Sequence, residues 1–432
     1  MAVAVLASVG VTACGGTSDG GSGAKSITYW ASNQGTSLDA DKATLQPELD
    51  KFTQRTGVKV RLEVIPSADL LNRILTATTS GKGPDVVNIG NSWSASLQAT
   101  GAFVGWDNTM MAEIGGESRF LPTALKSTGA AGQDPVGLPL YGNAYELFYN
   151  KKLFQTAGIS APPRTWAEFV SDARKLTKDT NGDGKIDQWG LGMRGASFLI
   201  AAHFAFILGT QHGAQIFSGH TPKFDDAGMV GAIDQWLSWF GEDGIVNPSD
   251  AEVTQNADLL KEFASGKAAM MLTQTSGTTV SQYGMTADDY GVAPMPSQDP
   301  PIAGGTDIGS FVAGINVAVF KDTENLDGAK QFVKFLTSAD EQVILNKAYG
   351  TIPTVTDAKD PAFDTQVKAV ARDTLTNRAV PLPQIVEEAQ FETLVGKAMN
   401  TFAAQAATGK QPSADQIRSE LAAANKKLTV GS

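Results

Sequence analysis

Cysteine is nearly absent from this chain of 432 residues, since Cys14 is the only one. One cysteine cannot form an internal disulfide bond, so the folded protein must take its stability from core packing. Histidine is also scarce, and His203, His212 and His220 do not have the spacing of metal ligands. The motifs H-E-x-x-H, G-x-S-x-G and Walker A are missing as well. These absences argue against zinc peptidases, serine hydrolases with a nucleophile elbow, and P-loop NTPases.

Positive charge is in the minority, because 34 Lys and Arg stand against 45 Asp and Glu and give a net charge of −11. The phosphates of nucleic acid and an anionic membrane surface repel a chain with this balance, so neither is expected as a main partner. A neutral or weakly polar ligand fits better. The length and the 42% hydrophobic content predict two sizeable domains instead of a single core.

The N-terminus carries a localisation signal. Residues 2–11 form an apolar run that is too short to span a bilayer, and it is followed by VTACGG at residues 11–16. This pattern resembles a bacterial lipobox, which predicts lipidation of Cys14. Residues 1–25 are therefore expected to be a signal peptide, truncated because no charged segment precedes the apolar run, and a flexible Gly/Ser-rich tether. The alternative is a lone buried cysteine.

Strand and helix patterns alternate at the start of the folded part. Strands are predicted at residues 27–30, 58–65 and 84–89, and the intervening helices are marked by apolar spacing at 45–56, before Gly57, and at 70–75. The order β-α-β-α-β predicts a mainly parallel sheet. Ligand-contacting loops of such sheets follow the carboxyl ends of strands. The polar and aromatic residues there are candidate contacts: Trp30, Asn33, Gln34, Asn91, Ser92 and Trp93.

The stretch 137–150, GLPLYGNAYELFYN, mixes polar and aromatic groups into a buried strand pattern. Strand alternation would turn Tyr141, Asn143 and Tyr145 toward a cleft while the leucines are buried. Glu146 lies in the same run. The alternative interpretation is that the tyrosines are core residues whose hydroxyls reach solvent.

Residues 179–187, DTNGDGKID, match the first nine positions of an EF-hand calcium loop. The candidate metal ligands are Asp179, Asn181, Asp183, Lys185 through its carbonyl, and Asp187. Position twelve, however, is Gly190 where the pattern has a bidentate Glu. Two interpretations remain open: a structural Ca2+ site, or a polar turn without calcium. No cofactor is expected to be required.

Several motifs occur in the order typical of one family. They are PDVVNIGNSW at 84–93, ELFYNKKLF at 146–154, PPRTWAEF at 162–169, KAAMM at 267–271, DGAKQFVKFLT at 327–337 and YGTIP at 349–353. From about Ser26 to its end, the chain resembles the extracellular solute-binding lipoproteins of bacterial ABC importers. The likeness is greatest to the maltose-binding-protein-like group, which binds oligosaccharides.

The resemblance implies an α/β, two-lobe periplasmic-binding-protein fold of type II with three hinge crossings. The crossings would lie near 140–144, 311–316 and 351–355. Lobe 1 would hold residues 26–139 plus 317–350, and lobe 2 residues 145–310 plus 356–432. The implied function is capture of a sugar, expected to be an oligosaccharide, between the lobes and its delivery to ABC transporter permease subunits. The protein would be a monomer without enzymatic activity, outside the cytoplasm, and attached to the cell membrane only through its lipid anchor.

A sugar offers hydroxyls that donate and accept hydrogen bonds and apolar faces that stack on rings, so its site needs amides, carboxylates and aromatic side chains. The resemblance adds candidates to those above. They are Phe198 near the cleft, Gln274 and Ser276 in a polar turn after a strand, and Gly305 and Asp307 in a glycine-rich turn, with Glu388 and Phe391 as further cleft candidates. Many relatives have an aromatic residue in the 273–277 turn, and this chain has none.

Two other function classes stay open. A secreted glycoside hydrolase needs a pair of carboxylates, and the chain has many from which a pair could be drawn. A lipoprotein that binds peptides or acts in cell-wall scaffolding would have no affinity for sugars. Incubation with oligosaccharides separates the classes: turnover indicates the hydrolase, and binding without turnover indicates the solute-binding protein.

Overall fold

Two separate β-sheets form the frame of the computed structural model, which describes residues 26–274 and 280–428. Cys14 and Ser276 lie outside the described residues. The strands of both sheets and of two short pairs are β1 Ser26–Ser32, β2 Lys59–Ile65, β3 Val86–Gly90, β4 Gly137–Asn143, β5 Tyr145–Asn150, β6 Trp189–Gly192, β7 Phe217–Ser218, β8 Thr221–Pro222, β9 Ala268–Gln274, β10 Tyr290–Pro294, β11 Ser310–Phe311, β12 Ala313–Val319 and β13 Ala379–Val380.

Helices cover both sheets. They are α1 Leu38–Thr56, α2 Ser67–Ser80, α3 Ser94–Ala99, α4 Asn108–Glu113, α5 Pro122–Leu125, α6 Lys151–Thr156, α7 Trp166–Leu176, α8 Phe198–Gln211, α9 Ala227–Ser238, α10 Asn256–Ala264, α11 Leu326–Leu336, α12 Ala339–Tyr349, α13 Gln366–Asn377, α14 Glu388–Ala407 and α15 Ala414–Lys427, with 3-10 turns at Asn91–Trp93, Glu117–Arg119, Pro248–Glu252 and Pro361–Phe363. Within 26–274 and 280–428, no helix combines the length and apolarity needed to cross a membrane.

The sheet of lobe 1 has the strand order β2-β1-β3-β12-β4. β1 pairs in parallel with β2 and β3, whereas β12 runs antiparallel to β3 and β4. The predicted mainly parallel sheet is therefore confirmed, with β12 as the one reversed strand. β12 comes from a distant part of the sequence, and it enters lobe 1 directly from a hinge crossing.

Helix α1 shows how the sequence sets an element of lobe 1. The Ser37 side chain accepts the Ala40 N–H at its start, and Gly57 ends it in the left-handed region at φ 77°. Leu45, Leu49 and Phe52 form its buried face. The Phe52 ring meets Phe332 of α11 at 5.1 Å between centroids, which ties the helix to a part of the chain almost 300 residues later.

The sheet of lobe 2 has the order β10-β5-β9-β6, and its core surrounds α8. This helix is apolar on nearly all sides, and other elements of the lobe enclose it. It approaches α14 so closely that a Cβ atom on Gly396 would lie 2.1 Å from the Phe198 carbonyl oxygen. A glycine is required there, since any side chain would push the two backbones apart.

The three predicted crossings lie side by side. Gly142 and Ile352 exchange backbone hydrogen bonds of 2.9 and 2.8 Å, Gly314 is the partner of Gly142 in β12, and the Val312 N–H donates to the Val380 carbonyl at 2.8 Å. A Cβ atom on Gly142 would lie 2.9 Å from the Ile352 oxygen, so this contact also depends on glycine. The two-lobe α/β fold with three crossings is confirmed, while the residue bounds of each lobe stay predictions.

Candidate functional site

A cavity lies between the lobes beside the β4–β5 crossing. Its volume, as space for water-sized molecules, is about 170 Å³. Lobe 1 and the crossing segments supply Gln34, Asn143, Tyr349 and Thr351, and lobe 2 supplies Tyr145, Met193, Arg194, Ile200, Phe204, Trp236, Asn256, Leu259, Leu272, Thr273 and Gln274. Polar and aromatic side chains from both lobes therefore face one space.

Asn143 ends β4 and stands at the crossing itself. Its side chain is 8% exposed and lines the cavity, and no hydrogen bond joins its amide to another described residue. A nearly buried amide normally finds partners for its two donors and its acceptor. The position of this group makes it the strongest candidate for a hydrogen bond to a bound solute.

Tyr145 begins β5 and connects the cavity to a buried polar chain. Its hydroxyl lies 2.9 Å from Nδ1 of His203, and Nε2 of that ring lies 3.3 Å from a carboxylate oxygen of Glu392. Burial raises the pKa of the Tyr145 phenol, so the hydroxyl is neutral at physiological pH. The ring packs edge-on against Phe204 at 5.4 Å, and the residue is therefore fixed on two sides.

The segment after β6 carries a cation into the cavity. The Met193 N–H donates to a carboxylate oxygen of Asp250 at 2.8 Å, and the Gly195 N–H donates to the Asp250 carbonyl at 2.9 Å. Nε and Nη2 of Arg194 both donate to the Thr254 carbonyl, at 3.0 and 2.7 Å. The 3-10 turn Pro248–Glu252 and the residues after it thus fix where the guanidinium lies.

Asp250 makes stability depend on pH. Burial, with the neighbouring Glu262 charge, raises the pKa of Asp250 to about 8, and the Met193 N–H opposes the rise. An unfolded Asp ionises near pH 4. Between about pH 4 and 8 the folded state therefore holds more protons than the unfolded state, so stability falls as pH rises through this window. We expect the midpoint of thermal unfolding to be several degrees higher at pH 5 than at pH 8.

Asp250→Asn keeps an acceptor for the Met193 N–H but cannot ionise, so this variant should show a smaller pH dependence than the parent protein. Asp69→Asn, on the exposed face of α2, is the matched control and should keep the full dependence. Equal slopes for the parent and Asp250→Asn in thermal scans from pH 5 to 8 would contradict the role given to Asp250.

Trp30 and Trp93 are not cavity residues, which corrects the prediction that they stack on a ligand. Both are 8% exposed and belong to one apolar cluster of lobe 1 with Ile74 and Leu97. Gly90 lacks a side chain, and the indole of Trp93 covers its backbone. The Arg73 guanidinium lies 4.3 Å from the centroid of the Trp30 ring. The two indoles therefore stabilise the lobe.

Trp93→Ala is accordingly expected to lower the unfolding temperature by several degrees while changing sugar affinity less than twofold. Calorimetric titration below the new midpoint would measure the affinity. A tenfold weaker affinity for sugar in a folded Trp93→Ala variant would contradict this and indicate that Trp93 contacts the solute.

Other predicted residues of lobe 1 also lie outside the cavity. Asn91 donates its side-chain amide to the Val312 carbonyl, and with Ser92 it lines a separate small crevice against residues 381–384. Asn33 donates to the Asp41 carboxylate. Tyr141 is enclosed in the lobe core, 5.3 Å from the Tyr349 ring. Of the predicted loop residues in this lobe, Gln34 is the one that reaches the cavity.

Several lobe 2 predictions need the same correction. Glu146 is 0% exposed and lies in the field of the buried Lys368 ammonium. Asp307 pairs with Arg378 at 2.8 Å and accepts from Ser297 at 2.7 Å. The remaining candidates pack against other parts of the lobe. The Lys397 ammonium lies over the Phe198 ring, Gly305 lies against the Gln211 carbonyl, and Glu388 and Phe391 are buried in the core.

The structure brings together four of the predicted contacts, Gln34, Asn143, Tyr145 and Gln274, and adds residues that the sequence interpretation missed. Arg194 follows a strand, which is the signal that selected Gln34 and Gln274, and it could have been found that way. Tyr349 is the first residue of the family motif YGTIP at 349–353, just before the third crossing. Trp236 belongs to the core of lobe 2 and is 0% exposed, although it borders the cavity.

In the calcium-like loop, residues 179–187, the side-chain oxygens accept hydrogen bonds from other groups of the same loop. Asp179 accepts the N–H groups of Asn181, Gly182 and Gly184, while Asp187 accepts from Thr180. The Gly184 N–H is the largest cause of the lowered pKa of Asp179. Among the described residues, no three His, Cys, Asp or Glu side chains converge as metal ligands. Calcium binding stays a prediction.

Comparison with known proteins identifies the family to which this chain is similar. The family described as bacterial extracellular solute-binding protein matches residues 35–343. A binding protein of Brucella abortus is 25% identical over 350 residues, 81% of this chain and 80% of that protein. The diacetylchitobiose binding protein DasA of Streptomyces coelicolor is 24% identical over 360 residues, which cover 80% of this chain and 79% of that protein. A solute-binding protein of Thermotoga lettingae, bound with alpha-D-tagatose, superposes with a TM-score of 0.77 at 20% identity, covering 93% of this chain and 99% of that one.

Proposed function

The chain belongs to the bacterial extracellular solute-binding proteins, and from this premise we propose that it captures a sugar, expected to be an oligosaccharide, between its two lobes for an ABC importer. The observation that supports this most is the cavity, because side chains of both lobes and of the crossing face it. Relatives that are named for diacetylchitobiose and bound with tagatose add support for a carbohydrate solute.

The chemistry of the lining suits a hydroxylated solute. Asn143, Gln274 and Asn256 offer amides, which donate and accept as sugar hydroxyls do. Tyr349, which is partly exposed, offers a ring on which the apolar face of a sugar can lie. A solute that contacts both lobes stabilises the closed arrangement by its additional contacts there, and the permease subunits then recognise that arrangement.

Family membership places the protein outside the cytoplasm. Attachment to the membrane through a lipid on Cys14 is part of the proposal, and the VTACGG motif supports it. Cleavage and radiolabelled-palmitate incorporation in a bacterial host would test it, with Cys14→Ser as the control that should lose the label.

A thermal-shift panel of mono- to pentasaccharides, followed by calorimetry and chromatography of the incubated sugar, tests the proposed function. We expect a raised unfolding midpoint, one-to-one binding and no turnover. Glycoside hydrolysis has no support from the cavity, since its described lining contains no Asp or Glu, whereas that chemistry uses a carboxylate pair. Turnover, or no sugar binding in the whole panel, would contradict the proposal.

A further inference from the structure

The cavity between the lobes has an unbalanced charge. Among the described residues that line it, Arg194 is the one ionised side chain at neutral pH, and the rest of the lining is amide, hydroxyl, aromatic or aliphatic. This is unexpected in a protein with a net charge of −11. A net negative surface weakens the long-range attraction of anions, so any preference for an anion must come from this local cation.

Arg194 has no carboxylate partner within the part of the chain that the structure describes. Its Nε and Nη2 donate to one carbonyl oxygen, that of Thr254, and no Asp or Glu oxygen lies within 4.0 Å of the guanidinium. The segment 275–279 after Gln274 has the sequence TSGTT and contains no acidic residue. The residues that the structure describes, and this segment by its sequence, therefore supply no counter-charge.

The acidic side chains in the surroundings of Arg194 interact with other groups. Asp250 accepts the Met193 N–H, and burial with the nearby Glu262 carboxylate favours the neutral form of Asp250 at pH 7. On the far side, Glu392 faces His203 at 3.3 Å, and the buried Glu388 lies beside Glu392 on α14. The Tyr145 hydroxyl is the group that interacts electrostatically with Arg194, and it is neutral.

The Arg194 guanidinium is half-buried without a counter-charge, and this destabilises its charged form in the protein without solute. Burial lowers the pKa of Arg194, which is the direction expected when a cation loses hydration and gains no partner. A partly desolvated guanidinium binds a carboxylate or phosphate through two parallel N–H bonds and regains this lost interaction energy. The turn at 248–254 holds Arg194 in place before a solute arrives, so little further ordering is needed on binding.

We infer that the solute carries an anionic group, a carboxylate or a phosphate on a sugar or polyol, and that this group pairs with Arg194 while the hydroxyls meet Asn143 and Gln274. The inference rests on the proposed function and narrows its solute class from sugars in general to acidic sugars. It also departs from the neutral ligand that the overall charge of the chain suggested.

Calorimetry of the full chain with matched solutes tests this inference. The panel is glucose, glucuronate and glucose 6-phosphate, with maltose and digalacturonate as a longer pair, all at pH 7.5. We expect at least one anionic solute to bind on the order of 10- to 100-fold more tightly than its neutral counterpart. The uronate and phosphate arms show which anionic group is preferred.

Arg194→Gln should abolish the preference for the anion, so that the anionic solute binds no more tightly than its neutral counterpart. Arg194→Lys, which keeps the charge but not the planar fork, should retain part of the preference. Arg174→Gln removes a surface arginine that pairs with Asp243 in the same lobe and should leave all affinities unchanged. The free Arg194→Gln protein should unfold at the parent temperature or above, because the variant removes a buried charge that lacks a partner.

The outcomes separate this inference from the function beneath it. Equal or tighter binding of the neutral solutes, or an anion preference that survives in Arg194→Gln, overturns the inference and leaves sugar capture intact. Absence of binding to every member of the panel contradicts the proposed function itself, and the inference falls with it.

Discussion

Replacement of Asn143 by alanine is expected to weaken sugar binding roughly 10- to 100-fold. The amide lies at the crossing, 8% exposed, without a hydrogen bond to another described residue. Removal of an amide that meets a solute hydroxyl leaves that hydroxyl desolvated in the closed cavity, which is where the loss arises. Stability of the free protein should change little, because the side chain supports no other group. Calorimetry and thermal unfolding of the same sample measure both effects.

Asn181→Ala is the control for this substitution. Asn181 is an exposed residue in the calcium-like loop of lobe 2, so its loss should leave sugar affinity as it is. An Asn143→Ala protein that is folded and binds sugar as tightly as the parent would contradict the placement of the solute at the crossing.

Gly190→Ala is expected to destabilise lobe 2 by at least about 3 kcal/mol, and Gly190→Glu to prevent its folding. A Cβ atom at this position would lie 2.2 Å from the Ala173 carbonyl oxygen and 2.6 Å from its Cα. Strand β6 therefore contacts the backbone of α7 directly, and the Gly190 N–H donates to Thr177 at 2.9 Å. Neither backbone can move without disrupting the lobe. The unfolding midpoint of Gly190→Ala should fall by about 10 °C.

Position 190 is also the twelfth position of the calcium-like loop. Gly190 stands where an EF-hand has its bidentate Glu, and the contact with α7 explains why no side chain is found there. Gly105→Ala is the matched control, because its Cβ would meet one atom at 4.0 Å and should cost almost nothing. A Gly190→Glu protein that is folded, with a calcium-dependent midpoint, would contradict this explanation.

The fold could be predicted because local patterns and their order agreed. The apolar positions 45, 49 and 52 and the stop at Gly57 gave the second half of α1 correctly. Its start was missed: α1 begins at Leu38 after the Ser37 cap, seven residues before the first apolar position that marked the helix. The family resemblance supplied the three crossings, which no periodicity could show, because β12 joins β3 from more than 200 residues away.

The site was harder to predict because the sequence shows which residues follow a strand but not which way they face. Trp30 lies within β1 and Trp93 follows β3, and both turn into the core of lobe 1, where the bare backbone of Gly90 accepts an indole. Gln34 follows β1 and Gln274 ends β9, and both reach the cavity. In the stretch 137–150, Asn143 and Tyr145 line the cavity while Tyr141 and Glu146 are enclosed. Packing between distant segments decides each case.

A crystal structure of the chain with its tightest solute from the thermal-shift panel tests the central claim most directly. We expect density for the solute between the lobes, within hydrogen-bonding distance of Asn143 from the crossing and of Gln274 or Arg194 from lobe 2. Contact with Gln34 or Tyr349 would complete the bridge to lobe 1. Solute density confined to one lobe, or at the surface away from the crossing, would contradict the account.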